Sequence, residues 1–221
     1  MRSTWDALAS DSDVFAGDPS RGESELKALF GRLGADPRGG TCIEVGCGPG
    51  RMTKHLAKRF DRVLALDVSP AMLAQARANA PDDNVEVREI SGERLDGVAG
   101  RSADVLVCYL VLQHLPRRAL VLRYFSEFAR VLKPSGQAFV QLPILDEGAL
   151  PRVWRALRAS LVPLTAFRGP TSSAAFRGNR LTSRELEQGL ENAGLRIVSR
   201  DTGPDAPYRF SQDVFLRLEH A

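Results

Sequence analysis

The sequence predicts an α/β protein with a doubly wound, mostly parallel sheet of seven strands, helices on both faces and an antiparallel last strand. Short β-branched runs alternate with helical patterns along the chain, which is typical of successive βαβ units. The run 104–109 is almost wholly apolar, as expected for a strand covered on both faces. A glycine-rich turn separates the first strand from the following helix. These features favour a single domain, which a length of 221 residues suits.

Each element has its own sequence signal. Apolar residues alternate or cluster in the predicted strands, which are 41–46, 62–67, 85–90, 104–109, 137–142, 195–199 and 213–218. Apolar residues recur with helical spacing in the predicted helices, which are 23–33, 51–60, 70–80, 117–132, 147–161 and 182–193. Pro70 stands in the first turn of its helix, where proline is tolerated. Thr182 and Glu185 have the spacing of a capping box.

Composition predicts a cytoplasmic protein. No apolar run reaches the roughly 20 residues that span a bilayer, and the first ten residues have no signal-peptide core. The cysteines Cys42, Cys47 and Cys108 are an odd number, and two lie in strand-like runs, so we expect reduced, buried thiols. No cysteine–histidine spacing is typical of zinc, so no metal is expected. A net charge of +3, without interleaved aromatic and basic residues, disfavours nucleic acid as a partner.

The turn Gly46-Cys47-Gly48-Pro49-Gly50 carries the strongest functional signal. Its alternating glycines let the backbone bend sharply and approach a ligand, and the following helix offers N–H groups at its positive end. The dinucleotide fingerprint G-x-G-x-x-G does not match, because Arg51 stands where its third glycine would be. The sequence also lacks the phosphate-binding pattern G-x-x-x-x-G-K-[ST]. The turn therefore predicts a ligand other than a nicotinamide or flavin dinucleotide.

Asp67 ends the second predicted strand, seventeen residues beyond Gly50. In a doubly wound sheet this position lies beside the glycine turn, at the carboxyl edge where ligands bind. A carboxylate there can accept hydrogen bonds from both hydroxyls of a ribose. It also suits a positively charged sulfonium ligand, which has no phosphate to be repelled.

Four blocks of the sequence resemble class I S-adenosylmethionine-dependent methyltransferases of the small-molecule type, similar to methyltransferase domains 11 and 25. The blocks are 44–53, 67–73, 104–116 and 132–136, and the resemblance covers about residues 40–142. It implies a Rossmann-like sheet, S-adenosyl-L-methionine as cofactor and S-adenosyl-L-homocysteine as product. The single domain 1–221 is then divided into an N-terminal helical segment (1–38), a cofactor-binding core (40–142), an arginine-rich lid or acceptor segment (146–184) and a C-terminal helix with a strand pair (185–221).

The same resemblance implies roles for individual residues. The methionine part of the cofactor would lie along the turn, against Glu44, Gly46, Cys47, Gly48, Gly50 and Arg51. Asp67 would bind the ribose, and Val68 and Met72 would flank the adenine. Glu93 would lie near the adenine amino group, with Arg94 as the alternative, because the family more often has Asp at this position. Tyr109 would border the reactive end of the cofactor.

The catalytic residues are left open. His114 is a candidate general base because imidazole titrates near neutral pH, but it lies in a local pattern that the family shares across many acceptors, which favours a packing role. Tyr109 is a second candidate, expected to line the site.

The arginine-rich segment offers two interpretations. Seven arginines and no Asp, Glu or Lys lie between Leu150 and Arg184. A cover helix at 147–161 with solvated arginines is favoured. The alternatives are an anionic or amphipathic acceptor held by the arginines, or contact between 147–161 and a membrane surface.

The sequence therefore predicts methyl transfer from S-adenosylmethionine to a small organic acceptor, on oxygen, nitrogen or carbon. Because the methyl group of a sulfonium is already activated, an in-line displacement needs mainly alignment and the exclusion of water. The alternative is a protein of the same fold that binds the cofactor without transferring its methyl group, as a sensor or partner subunit. The sequence does not predict an oligomeric state.

Overall fold

The computed structural model describes residues 21–145, 180–205 and 211–221, with the backbone alone at 203–205 and 211–212. The predicted helix 147–161 lies outside the described residues, as do the first twenty residues and all but the end of the arginine-rich segment.

One sheet organises the described chain. Its strands are β1 (Thr41–Val45), β2 (Arg62–Asp67), β3 (Val85–Glu89), β4 (Ala103–Cys108), β5 (Leu132–Leu145), β6 (Leu181–Thr182), β7 (Leu195–Asp205) and β8 (Ser211–His220). They lie in the order β3-β2-β1-β4-β5-β8-β7, with β6 paired to β5. The pairs within β1–β5 are parallel, as is β5 with β6, whereas β8 runs antiparallel to both β5 and β7.

The predicted fold class is confirmed, but the predicted strand number is wrong. In the part of the chain that the structure describes, the sheet has eight strands and not seven. The additional strand is β6, whose two residues are too few to show the alternation of apolar and polar residues that predicts a strand. The last strand is antiparallel, as predicted.

The helices within the described residues are α1 (Arg21–Arg32), α2 (Thr53–Ala57), α3 (Pro70–Asn79), α4 (Arg118–Val131) and α5 (Ser183–Asn192), with a 3₁₀ turn at Leu112–His114. The helix predicted at 51–60 is only five residues long, since no side chain caps its start at Met52 and turns flank it. Two other helix starts follow the sequence closely. Ser69 caps α3 ahead of Pro70, and Thr182 and Glu185 form the predicted capping box on α5.

Helices cover both faces of the sheet. Alternate residues of β4 belong to two apolar clusters, Val105 and Val107 to one and Leu106 and Cys108 to the other, as the alternation of side chains across a strand requires. The first cluster includes Leu26, Leu29 and Phe30 of α1, and the Phe30 ring meets the Phe139 ring edge-on at 4.8 Å. The second includes Val121, Phe125 and Phe128 of α4. The three cysteines are buried and unpaired.

Candidate cofactor site

The predicted glycine turn links the end of β1 to α2 and is held against the end of β2. The backbone N–H groups of Gly46 and Cys47 both donate to the Leu66 carbonyl, at 2.7 and 2.9 Å. Gly46 and Gly48 have positive φ angles of 73° and 53°, which favour glycine. A Cβ on Gly46 would lie 2.3 Å from a methyl group of Val111, whereas a Cβ on Gly48 would meet no atom within 4 Å. Gly46 is therefore needed for close packing, and Gly48 leaves open space beside the turn.

The Asp67 carboxylate lies directly beside this turn, as predicted. One oxygen accepts a hydrogen bond from the Gly48 N–H at 2.9 Å. The other accepts from the Val68 and Ser69 N–H groups at 2.7 and 3.0 Å. The side chain therefore joins the loop after β2 to the glycine turn and concentrates negative charge at the carboxyl edge of the sheet.

Glu44 lies under the turn, in β1, and is only 4% exposed. Its carboxylate accepts a hydrogen bond of 2.6 Å from the Thr53 hydroxyl. Burial raises the pKa of Glu44 to about 7, helped by the Asp67 carboxylate, while the Thr53 bond and the Arg51 charge oppose the rise. Near neutral pH this carboxyl group can therefore gain or lose its proton.

A cavity of about 310 Å³ opens above these residues. Its apolar lining after β2 and β3 comprises Val68, Met72 and Ile90. The lining after β4 comprises Tyr109, Leu110, Val111, Gln113, His114 and Leu115, with Tyr124 of α4 beside them. The remaining lining residues are Glu44, Val45, Gly46, Cys47, Gly48, Pro49, Arg51, Met52, Asp67 and Val107.

Arg51 is held at the cavity by α1. Its guanidinium lies 3.1 and 3.0 Å from the two carboxylate oxygens of Glu25, and both side chains are about one-fifth exposed. Gly22 brings α1 this close, because a Cβ there would lie 2.1 Å from the Arg51 carbonyl oxygen. Burial raises the pKa of Glu25, and the Arg51 charge opposes this rise.

The segment after β4 forms a wall of the cavity. The Gln113 amide nitrogen and His114 Nε2 are 3.3 Å apart. Burial raises the pKa of the Tyr109 hydroxyl, and the nearby Glu25 carboxylate adds to the effect. Tyr109 therefore stays protonated at neutral pH.

Three residues predicted to bind the cofactor lie outside the cavity lining. Gly50 packs against α3, where a Cβ would come within 3.0 Å of the Ala76 backbone. Glu93 is 3.5 Å from Arg123, and its side chain is 64% exposed. Arg94 donates a hydrogen bond of 2.7 Å to Asp96 and is also exposed. All the other predicted cofactor residues line the cavity.

Comparison with known proteins identifies this architecture. Residues 43–140 match the methyltransferase domain family Methyltransf_11. A ubiquinone biosynthesis O-methyltransferase from Xanthomonas axonopodis pv. citri is 30% identical over 195 residues, which are 87% of this chain and 75% of that protein. The chain belongs to the class I S-adenosylmethionine-dependent methyltransferases.

Other matches are consistent with this family. A trans-aconitate 2-methyltransferase from Methylobacterium nodulans is 34% identical over 87% of this chain and 69% of its own length. Some relatives match over shorter stretches, such as the ubiquinone biosynthesis O-methyltransferase of Xanthomonas oryzae pv. oryzae, of which the match spans 54%. The solved DhpI–SAH complex shares the fold, with a TM-score of 0.65 and 22% identity over 99% of this chain and 94% of that one.

The cofactor of this methyltransferase is S-adenosylmethionine, and the chemistry of the cavity suits it. Carboxylates such as Asp67 and Glu44 accept hydrogen bonds from hydroxyl and ammonium groups, and apolar side chains such as Val68 and Met72 suit the faces of an adenine ring. The open space beside Gly48 is space that any larger residue would fill. None of the helices in the described part of the chain combines the length and apolar character that a membrane crossing needs.

Some residues of this methyltransferase site were not predicted from the sequence. Ile90 and Tyr124 line the cavity, and Glu25 and Gln141 contact residues that line it. Ile90 is the last residue of the predicted strand 85–90, at the edge where ligands bind, which was a usable signal. No sequence signal indicated Glu25 or Gln141, because they contact residues that lie 26 and 31 positions away along the chain.

Proposed function

We propose that this methyltransferase transfers a methyl group from S-adenosylmethionine to a small organic acceptor, on oxygen, nitrogen or carbon. The observation that supports this most strongly is the shared cavity. The turn after β1 and Asp67 line it together with a wall of apolar and polar side chains after β4, so donor and acceptor can meet in one cavity. Relatives named for ubiquinone biosynthesis and for trans-aconitate also support a small acceptor.

The proposed binding roles follow from the chemistry of each side chain. Asp67 binds the ribose hydroxyls, as a carboxylate can. Glu44, when ionised, binds the ammonium of the methionine part, and Arg51, oriented by Glu25, binds its carboxylate. The backbone of 46–48 lies along the same part. Val68 and Met72, joined by Ile90, enclose the adenine.

Glu93 and Arg94 are given no role, because neither lines the cavity. Their contacts are with Arg123 and Asp96.

The proposed mechanism relies on alignment. Held by Asp67 and the turn after β1, S-adenosylmethionine would supply a methyl group on a positively charged sulfur, and its transfer to the acceptor atom would leave S-adenosylhomocysteine. The protein holds donor and acceptor in contact and excludes water from the cavity. Tyr109, which burial keeps protonated, donates a hydrogen bond and does not remove a proton. His114, which lines the cavity, is the better candidate base where the acceptor must lose a proton.

An acceptor screen with a labelled methyl donor tests the proposal. Phenols, carboxylic acids, amines and activated carbon acids are incubated with the protein and S-[methyl-¹⁴C]adenosylmethionine, and labelled products are identified by mass spectrometry. Transfer to at least one class is expected. If calorimetry shows cofactor binding but no class is methylated, the protein is the cofactor-binding alternative and the enzyme proposal is contradicted.

Two variants then test the assignment of the base. His114→Ala should lower kcat by about 10²–10⁴-fold for an acceptor that loses a proton, the usual contribution of a general base. Tyr109→Phe should have a smaller effect on kcat. Both should bind S-adenosylhomocysteine as tightly as the wild type does, and a kcat for His114→Ala equal to that of the wild type would exclude it as the base.

A further inference from the structure

Leu110 has an unusual backbone conformation in the cavity wall. Its φ is +59°, which side chains other than glycine rarely adopt. It lies two residues beyond the end of β4, between Tyr109 and Val111, which also line the cavity. The backbone conformation of Leu110 therefore determines where Tyr109 and Val111 lie in the cavity wall.

Val111 connects this wall to the glycine turn. Its methyl group would lie 2.3 Å from a Cβ on Gly46, so the two residues are in direct contact. A change of backbone conformation at Leu110 would move Val111 relative to the turn. The shape of the cofactor site therefore depends on a conformation that the Leu110 residue itself does not favour.

Gln141 of β5 stabilises the backbone conformation of Leu110 through a hydrogen bond. Its side-chain oxygen accepts a hydrogen bond of 3.0 Å from the Leu110 N–H. Its amide nitrogen donates a bond of 3.0 Å to the Asp213 carboxylate of β8. Gln141 is only 1% exposed, so water cannot replace either bond. Asp213 fixes the orientation of the amide, because a carboxylate oxygen can only accept from the NH₂ end.

We propose that Gln141 is a positioning residue for the cofactor site. Held by Asp213, it stabilises the left-handed backbone at Leu110 and so keeps Val111 against Gly46. This role requires one hydrogen bond accepted from the Leu110 N–H and one donated to Asp213. The long, neutral side chain of glutamine makes both, whereas an apolar or charged side chain does not. The proposal rests on cofactor binding and is independent of which acceptor is methylated.

Gln137 provides a matched control. It lies four residues earlier on the same face of β5, and its amide donates a hydrogen bond of 2.7 Å to Glu219 of β8. It therefore makes the same kind of bond between the same two strands. However, it does not line the cavity.

The test compares S-adenosylhomocysteine affinity by isothermal titration calorimetry. Gln141→Met, which keeps the length of the side chain, should raise Kd about tenfold, equal to 1.4 kcal/mol. Gln137→Met should leave Kd within about twofold of wild type. In the Gln141→Met background, Leu110→Gly should restore Kd to within about threefold, because glycine adopts a positive φ at little cost.

Three outcomes would overturn the proposal. They are wild-type affinity in Gln141→Met, an equal loss in Gln137→Met, and a double variant that binds as weakly as Gln141→Met alone. Asp213→Leu removes the partner of the Gln141 amide and provides an independent variant if Gln141→Met does not fold. It should raise Kd at least threefold, and an unchanged Kd would also overturn the proposal. Failure of the wild-type protein to bind S-adenosylhomocysteine would contradict the cofactor site instead, so the two failures are distinguishable.

Discussion

Asp67→Ala should weaken cofactor binding. The carboxylate accepts three backbone hydrogen bonds at 2.7–3.0 Å and is the proposed partner of the ribose hydroxyls. A hydrogen bond to a charged group contributes about 1.5–3 kcal/mol. Loss of one such bond to the cofactor therefore predicts a Kd for S-adenosylhomocysteine that rises roughly ten- to a hundredfold.

The same substitution should also destabilise the protein, because it removes the acceptor that joins the loop after β2 to the glycine turn. Asp96→Ala separates these two effects. Asp96 follows β3 and organises its own loop through hydrogen bonds from Ser91 and Arg94, which hold its pKa at about 2. It does not line the cavity.

Calorimetry and urea unfolding of both variants provide the assay. Both should unfold at lower urea concentration than the wild type, and only Asp67→Ala should lose affinity. Unchanged affinity in Asp67→Ala would refute the ribose assignment. An equal loss of affinity in Asp96→Ala would show that loop stability, rather than a direct contact, determines binding.

The site and the elements that support it lead to four further predictions. The pKa of Glu44 is raised to about 7, and its ionised form is the proposed partner of the cofactor ammonium. The affinity for S-adenosylhomocysteine should therefore rise from about pH 6 to about pH 8, with release of a proton on binding. Calorimetry of Glu44→Gln should show no such pH dependence. Between about pH 4.5 and about pH 7 the stability of the cofactor-free protein should fall, since the unfolded carboxyl, with a pKa near 4.5, has lost the proton that the folded protein retains up to about pH 7. Gly48→Ala should weaken S-adenosylhomocysteine binding. Gly34→Ala is the control and should not, although both glycines have a positive φ and space for a Cβ. Equal affinities of the two variants would show that the cofactor does not use the space beside Gly48. Thr182→Ala removes the N-cap of α5 and should lower the free energy of unfolding by about 1 kcal/mol with unchanged affinity; no change in urea unfolding would contradict the capping role.

The parts of the site that could be predicted from sequence are those encoded locally. The glycine turn, Asp67 and the apolar residues after it lie within about 30 residues, and strand alternation fixes where they meet. Glu44 could be placed under the turn for the same reason. A parallel sheet brings the ends of β1 and β2 together whatever the remaining sequence does.

The parts that could not be predicted depend on contacts between distant segments. Glu25 pairs with Arg51 only because Gly22 lets α1 approach the turn, and no periodicity reveals that contact. Gln141 reads as one polar residue in an apolar strand until Leu110 and Asp213 are seen beside it. Glu93 is a different case, because the resemblance implies a role for a position whose side chain is exposed and outside the cavity lining.

Helix α1 covers part of one face of the sheet, and this has a practical consequence for protein engineering. The segment that matches the methyltransferase domain, 43–140, contains neither α1 nor β8. Cut out alone, it would end within β5, leave Phe139 without the Phe30 ring and expose the strand edge that pairs with β8 at Ala138, Phe139 and Val140. Uncovered apolar faces and open strand edges promote aggregation. Fragments intended for crystallisation or fusion should therefore retain both elements, since the recognisable motif region is smaller than the unit that folds.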